Sequence, residues 1–418
     1  MTLKPVVIIT YYWPPSGGGG VQRWLKMLKY FPANGWSPHI YTPENPQFEQ
    51  YDHNLEKDIH PITEVIRYPI WEPYSMFTKK RKQGVVNGNK RNLLSRVIIW
   101  IRGNLFVPDP RIFWVSPSVK FLVDYIEQNK IQHIITTGPP HSMHLIGLRL
   151  KKRMPALNWI ADFRDPWSKW DILDLLKTSR PIKVLHQLME RKVLNRADLI
   201  LSVSPSWAEG FRSLTTSKVE IITNGYDEED FKKKEIKSKQ PWLMVHMGLL
   251  NRLRHYPALW EALNEFSKEN LSFRLVLGGM VDEEIKNHIE RLDFLRKVTI
   301  FLGYLTHQEV HEYYQKADLL LLLSNRTANN KGHLPGKLFE YIGTQKPIIA
   351  LSGEDSDMSK MINKYEIGTV LSGNDSSDII RSLRDHRQST QIKTLVCKQF
   401  QRDSLAKQVT QLLNTMPA

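Results

Sequence analysis

What most restricts the fold of this chain is a rhythm that runs along it twice: short apolar runs, each followed by a stretch with helical periodicity. In the first half, β-rich runs fall at 6–10, 39–42, 64–68, 133–137, 158–162 and 199–203, with helical patterns at 21–31, 142–153 and 185–197 among them. A second series has runs at 243–247, 274–278, 299–302, 319–323, 347–350 and 368–371, with helical patterns at 256–269, 281–292, 307–316 and 336–343. Strands this short, separated by helices, pair in parallel through crossovers, so each series predicts one open α/β sheet. A chain of 418 residues is also too long for one ordinary core. The expected fold is therefore α/β, with two Rossmann-like domains whose parallel sheets face across a cleft. Ligands of such sheets bind at the C-terminal ends of the strands. The predicted boundaries are 1–218 for the first domain, 219–240 for a linker that turns charged from Lys232, 241–398 for the second domain, and 399–418 for a C-terminal helix returning to the first.

The single cysteine, Cys397, excludes an internal disulfide framework and a cysteine-based zinc site. The apolar run at 6–9 is too short for a signal peptide, and nothing approaches the roughly 20 apolar residues of a membrane span. These features predict a cytoplasmic protein. Its charge adds a qualification. The net charge is +15, and between Pro73 and Pro108 there is no Asp or Glu, while Lys79, Lys80, Arg81, Lys82, Lys90, Arg91, Arg96 and Arg102 all occur. Leu93, Leu94, Val97, Ile98, Ile101 and Leu105 recur there at helical spacing beside Trp100 and Phe106. A basic amphipathic helix of this kind suits an anionic membrane surface, so residues 79–106 predict peripheral attachment at the inner face of the cell membrane. The alternative is a helix packed on its own domain with a solvated basic face. Charge alone would also suit nucleic acid, but no recognition motif accompanies it, and no nucleic-acid partner is expected.

Three motifs bear on chemistry. Residues 16–20 read SGGGG between a strand and a helix, where backbone N–H groups of Gly18 and Gly19 can approach an anion. The spacing matches neither a Walker A loop nor GxGxxG, and a flexible turn is the plain alternative. Arg252 and Arg254 follow the first strand of the second series, where guanidinium forks pair well with phosphate, or else solvate a loop. Lys337 and Glu340 sit three residues apart at the start of a helix, as a phosphate cation and a ribose acceptor would, or as a surface pair.

The segments YYWPPSGGGGVQR, VSPS followed by IITNGYDEEDF, HMGLLNRLRHYP, FLGYLTHQEVHEYYQKADLLLL and LPGKLFEYIGTQKPIIA occur in order over nearly the whole chain. Together they resemble the family 4 glycosyltransferases of the GT-B fold. The resemblance implies retaining transfer from a UDP- or GDP-sugar, with no metal and no other cofactor. It places the donor diphosphate on Arg254 and Lys337, to which the motifs above add Arg252, Gly18 and Gly19, the ribose on Glu340, and the base on Gly303, Tyr304 and Leu305. The family often carries a second glutamate ahead of the ribose glutamate, and here that place is Gly332. The candidates for donor-sugar recognition are then Asn329, Asn330, His333 or the backbone of Leu334, Pro335 and Gly336. Relatives commonly place a His beside the reacting sugar, a role for which His141 is the candidate, with a buried packing His as the alternative. Asp162 and Asp165 are candidates to orient or deprotonate an acceptor hydroxyl, with a structural Asp–Arg network as the alternative. The expected acceptor is a glycan or a lipid-linked intermediate of surface polysaccharide synthesis. A nucleotide-sugar epimerase or hydrolase, and a non-catalytic nucleotide-sugar-binding subunit, remain the competing functions.

Overall fold

The computed structural model describes residues 2–48, 50–72, 93–231, 241–269, 272–388 and 397–417. The chain divides into two compact units, Met1–Thr223 with Arg402–Ala418, and Asn224–Gln401.

The first unit is built on seven strands: β1 (Lys4–Ile9), β2 (Trp36–Pro43), β3 (Glu64–Tyr68), β4 (His133–Gly138), β5 (Asn158–Phe163), β6 (Leu199–Ser202) and β7 (Lys218–Ile221). Their order is β3-β2-β1-β4-β5-β6-β7, and every pairing is parallel. The strand order reverses between β1 and β4, which makes their C-terminal ends the ligand-binding edge of this fold type. Strands buried on both faces carry near-continuous apolar runs. In β1, Val7 and Ile9 join one core layer while Val6 and Ile8 join the other.

The second unit repeats the plan with β8 (Trp242–Met247), β9 (Phe273–Gly278), β10 (Thr299–Gly303), β11 (Leu319–Leu323), β12 (Ile348–Leu351) and β13 (Thr369–Leu371), ordered β10-β9-β8-β11-β12-β13. All of these pair in parallel, and the reversal falls between β8 and β11.

Each predicted run became a strand, and the sheets add one strand the sequence did not predict. β7 lies where a linker was expected to begin: Val219 and Ile221 pair with Ile200 and Ser202 at the sheet edge. An edge strand needs apolar residues on only part of its length, and the charged stretch that follows disguised it. Of the rest of the expected linker, Glu228–Phe231 forms a short turn and residues 232–240 lie outside the described residues. At the C-terminus, the helix Arg402–Asn414 places Leu405, Ala406, Val409 and Leu413 in the first unit's core beside Val21 and Leu25. Of the basic segment, residues 79–92 lie outside the described residues and Leu93–Asn104 is a helix. Among the described residues no helix is long and apolar enough to cross a membrane.

Candidate functional site

In the second unit, glycines bring neighbouring strand ends unusually close. Gly248, just past β8, adopts φ 118° and donates its N–H to Gly278 O at 2.8 Å. Gly279 adopts φ 101°, and a Cβ there would meet Gly248 O at 2.6 Å. The Gly279 N–H in turn donates to Gly303 O at 2.5 Å, while Gly303 itself has φ 68°. The loop Gly303–Leu305 therefore rests on the ends of β8 and β9. Leu305 packs beside Gly278, where Met247 Sδ fills the place of the absent Cβ, and the Tyr304 side chain is exposed.

Two cations converge at this edge. Arg254, in the short turn Arg252–Arg254, donates from Nε to Asn325 Oδ1 and from Nη1 to Leu249 O, both at 2.8 Å. Lys337, in the first turn of the helix Gly336–Thr344, donates to Met247 O at 2.5 Å and occupies the space a Cβ on Gly248 would take. Neither side chain forms a salt bridge among the described residues. Burial, reinforced by the charge of Arg254 and opposed by Glu340, pushes the Lys337 ammonium down to about 7. His333 is held at about 4 by burial and by the charges of Arg254 and Lys337, and is neutral at physiological pH. An anion placed here would relieve repulsion that the folded unit otherwise sustains.

Pro335 is the N-cap of the helix carrying Lys337 and has no side-chain capping bond, so first-turn N–H groups lack that partner. Leu334 is buried beneath it and Gly336 begins it. Asn330 donates to Ser324 Oγ at 2.5 Å, at the end of β11. Asn325, Asn330, Arg326, Tyr256 and Asn374 line an adjoining depression of about 380 Å³. Glu340 faces the same helix turn as Lys337, with Oε2 accepting from Tyr314 Oη at 3.1 Å.

Arg252 is a correction. Its guanidinium pairs with Glu284 at 3.1 Å on an exposed surface, with 71% of the side chain accessible, and does not join the cluster. In a three-residue turn the side chains of positions one and three diverge, and only Arg254 turns inward.

In the first unit, Gly18 precedes the helix Gly19–Leu28 with φ 82°, and a Cβ on Gly19 would meet nothing within 4 Å. Gly20 is fixed from the side: its carbonyl accepts from Arg164 Nη1 at 2.7 Å, and Arg164 also donates to Gly138 O and Pro139 O. Arg164 thus ties the glycine loop to the end of β4, a role the sequence did not disclose.

Asp162 is a second correction. Its carboxylate is fully buried and accepts from Arg23 Nε at 3.2 Å and Nη2 at 2.9 Å, from Trp24 Nε1 at 2.8 Å and from Thr137 Oγ1 at 2.8 Å. Burial alone would raise its pKa, but the charge and hydrogen bonds of Arg23, with those of Thr137 and Trp24, hold it below the ordinary carboxylate range. A carboxylate saturated in this way is a clamp, not a base. Asp165 differs: it is partly buried, and desolvation raises its pKa against the pull of Arg164. His141 is 2% exposed, stacks on Trp167 at 5.0 Å, and has no hydrogen bond to either ring nitrogen among the described residues. Burial, then the neighbouring His144, His186 and Arg164, hold it neutral.

The model for Glycosyltransferase Family 4 matches residues 17–230, and that for Glycosyl transferases group 1 matches residues 227–389. Among solved structures, sucrose-phosphate synthase from Thermosynechococcus elongatus is 14% identical with a TM-score of 0.66, over 98% of each chain. Anabaena HepE in complex with UDP and glucose is likewise 14% identical with a TM-score of 0.66, over 99% of this chain and 100% of that one. The lipopolysaccharide outer core galactosyltransferase WaaB is 13% identical with a TM-score of 0.59, over 99% and 100%. At such identities the likeness establishes the fold alone, which is GT-B. No curated protein sequence matches the chain.

Proposed function

Because the chain belongs to Glycosyltransferase Family 4, we propose that it transfers a sugar, with retention and without a catalytic metal, from a UDP- or GDP-sugar to an acceptor hydroxyl. The observation that carries this reading is the meeting of Arg254 and Lys337 at the switch point of the second sheet with only neutral hydrogen-bond partners. HepE, of the same fold, was solved with UDP, which supports a uridine donor.

In this reading the diphosphate lies against Arg254, Lys337 and the first turn of Gly336–Thr344. Glu340 accepts from the ribose, the Gly303–Leu305 loop covers the base, and Asn330 with His333 contacts the sugar. As the bond from C1 to the phosphate oxygen breaks, the fixed cations stabilise the departing phosphate while positive charge develops on the sugar. Neutral His141 stands ready for a sugar hydroxyl, and Asp165, with its raised pKa, for the acceptor proton. Gly18 and Gly19 leave room for an anionic or hydroxylated group at a helix N-terminus.

Lys337→Ala is expected to lower turnover by about 100-fold, the scale of losing one donor to a developing anion. Chelation of divalent ions should not lower the wild-type rate. Near-normal transfer by the variant would end the assignment. Gly332, standing where relatives carry a glutamate, favours one competing reading, binding without transfer. Product analysis with and without acceptor separates transfer, hydrolysis or epimerisation, and mere binding.

The first unit's surface supports the expected acceptor side. On the helix Leu93–Asn104, Val97 and Trp100 are exposed, as is Leu105 just beyond it. Asn104 binds Lys177 O and the Ser179 N–H, fixing this helix against the start of Arg180–Leu194, where Val184, Leu185 and Leu188 are exposed too. Exposed apolar side chains on these two helices, with Arg96 and Arg102 on the first, favour an anionic bilayer and a lipid-linked acceptor, and hence a location at the inner face of the cell membrane. Flotation with anionic vesicles but not neutral ones is expected. Equal partitioning removes this part of the proposal.

A further inference from the structure

A second cluster in the same unit has no place in the transfer chemistry. Thr306 caps the helix His307–Lys316 through a capping box with Glu309, which fixes its first turn. His307 and His311 are four residues apart and so share one helix face. Their Nε2 atoms approach to 3.1 Å. Facing them is the turn Glu228–Phe231, where Phe231 packs on the His311 ring at 4.8 Å and fills the space beside Gly343. That wedge sets the position of the preceding residue, Asp230. A carboxylate oxygen of Asp230 and one ring nitrogen from each histidine all lie within 4.8 Å of one another.

We propose that Asp230, His307 and His311 form a binding site for a borderline-soft divalent cation such as Zn²⁺ or Ni²⁺. Tetrahedral zinc with nitrogen bonds of about 2.0–2.1 Å separates its ligands by roughly 3.3 Å, close to the spacing of the two imidazoles. Two imidazoles and one carboxylate select such ions over Mg²⁺ or Ca²⁺, which prefer all-oxygen shells. Three protein ligands leave a fourth position open. Glu340 Oε1 lies 3.9 Å from His307 Nε2, near enough to be drawn into that position. A consequence that rests on the ribose role of Glu340 follows: the ion and the nucleotide compete for one carboxylate. The ion thus acts as a brake on donor binding, and it has no part in the catalytic steps.

The test is titration of the purified full chain with Ni²⁺ or Zn²⁺ alone, read by calorimetry and thermal shift, with Co²⁺ absorption reporting the geometry. One ion per chain is expected, with a raised melting temperature. His307→Ala should weaken binding by at least the roughly 100-fold that loss of an outer-shell partner can cost. His311 is buried, so its substitution also costs packing, and Asp230→Asn is the second probe, with a smaller loss. If wild type and His307→Ala bind the metal alike, or if neither binds it below millimolar concentration, the site is refuted and the close nitrogens share a proton instead. Adding UDP separates the two readings. Metal binding that UDP leaves unchanged would sink the role of Glu340 while the site itself stands.

Discussion

The two sheets end in different ways, and the difference separates structure from function. In the first unit the charge at the strand ends is consumed internally. Asp162 is saturated by Arg23, Trp24 and Thr137, and Arg164 spends its donors on the carbonyls of Gly20, Gly138 and Pro139. In the second unit the cations Arg254 and Lys337 are held by neutral carbonyl and amide oxygens, with net positive charge left over. A satisfied buried network rigidifies, whereas an unbalanced one is tuned for a ligand that brings the missing charge. The first unit's ion pair thus fixes its shape, while the second unit's cations stay unneutralised, as the proposed donor site requires.

The largest test of this contrast is Asp162→Asn. Breaking one partner of a buried ion pair typically costs about 3–5 kcal/mol, because the other charge is stranded. Urea unfolding should show a loss of that order, while the fraction that remains folded still binds UDP. Unchanged stability with abolished transfer would reverse the contrast and return Asp162 to the chemistry. Gly248→Ala comes next. It forces a side chain onto φ 118° and against Lys337 Nζ, so a cost of about 1–3 kcal/mol is expected from backbone strain, together with weaker UDP binding. Normal stability and affinity would show that the strand end relaxes freely and does not set the position of Lys337.

A smaller effect should appear in the pH dependence. The Lys337 ammonium titrates at about 7 in the folded unit, against 10.5 for an ordinary lysine. Between those values the unfolded chain binds the extra proton, so stability rises with pH across that window. The penalty of the buried charge is fully present below pH 7 and relieved above it. The wild type should therefore gain on Lys337→Met from pH 7 upward, by at most about 1.4 kcal/mol per pH unit. Because a diphosphate favours the charged form, UDP binding at pH 8 should take up a proton, seen as a calorimetric heat that depends on the buffer. Parallel stability curves for the two proteins would show that Lys337 is not perturbed.

Much of this was legible in the sequence because it is local. Period and length alone reveal strands such as 6–10 or 319–323, and a cation and a carboxylate three residues apart on a helix must share a face. What stayed hidden depends on distant partners. Arg23 meets Asp162 across 139 residues, and Asn325 meets Arg254 across 71. Nothing near Asp162 distinguishes it from Asp165, yet one ends a buried strand among four donors while the other lies in the loop beyond. The pairing of His307 and His311 is visible as spacing, but Asp230 joins them only through the packing of Phe231.

Arg252 gives the smallest effect and the sharpest control. It lies two residues from Arg254, carries the same charge, and by sequence alone had a claim on the same phosphate. Its exposed pair with Glu284 belongs to a class of interactions worth about 0–1 kcal/mol, screened by salt. Arg252→Ala should change stability by no more than about 0.5 kcal/mol and leave the affinity for UDP within twofold, whereas Arg254→Ala should weaken that affinity severely. If instead the two variants lose affinity equally, long-range field rather than direct contact holds the donor. The second unit's advantage would then lie in its net charge and not in where its cations point.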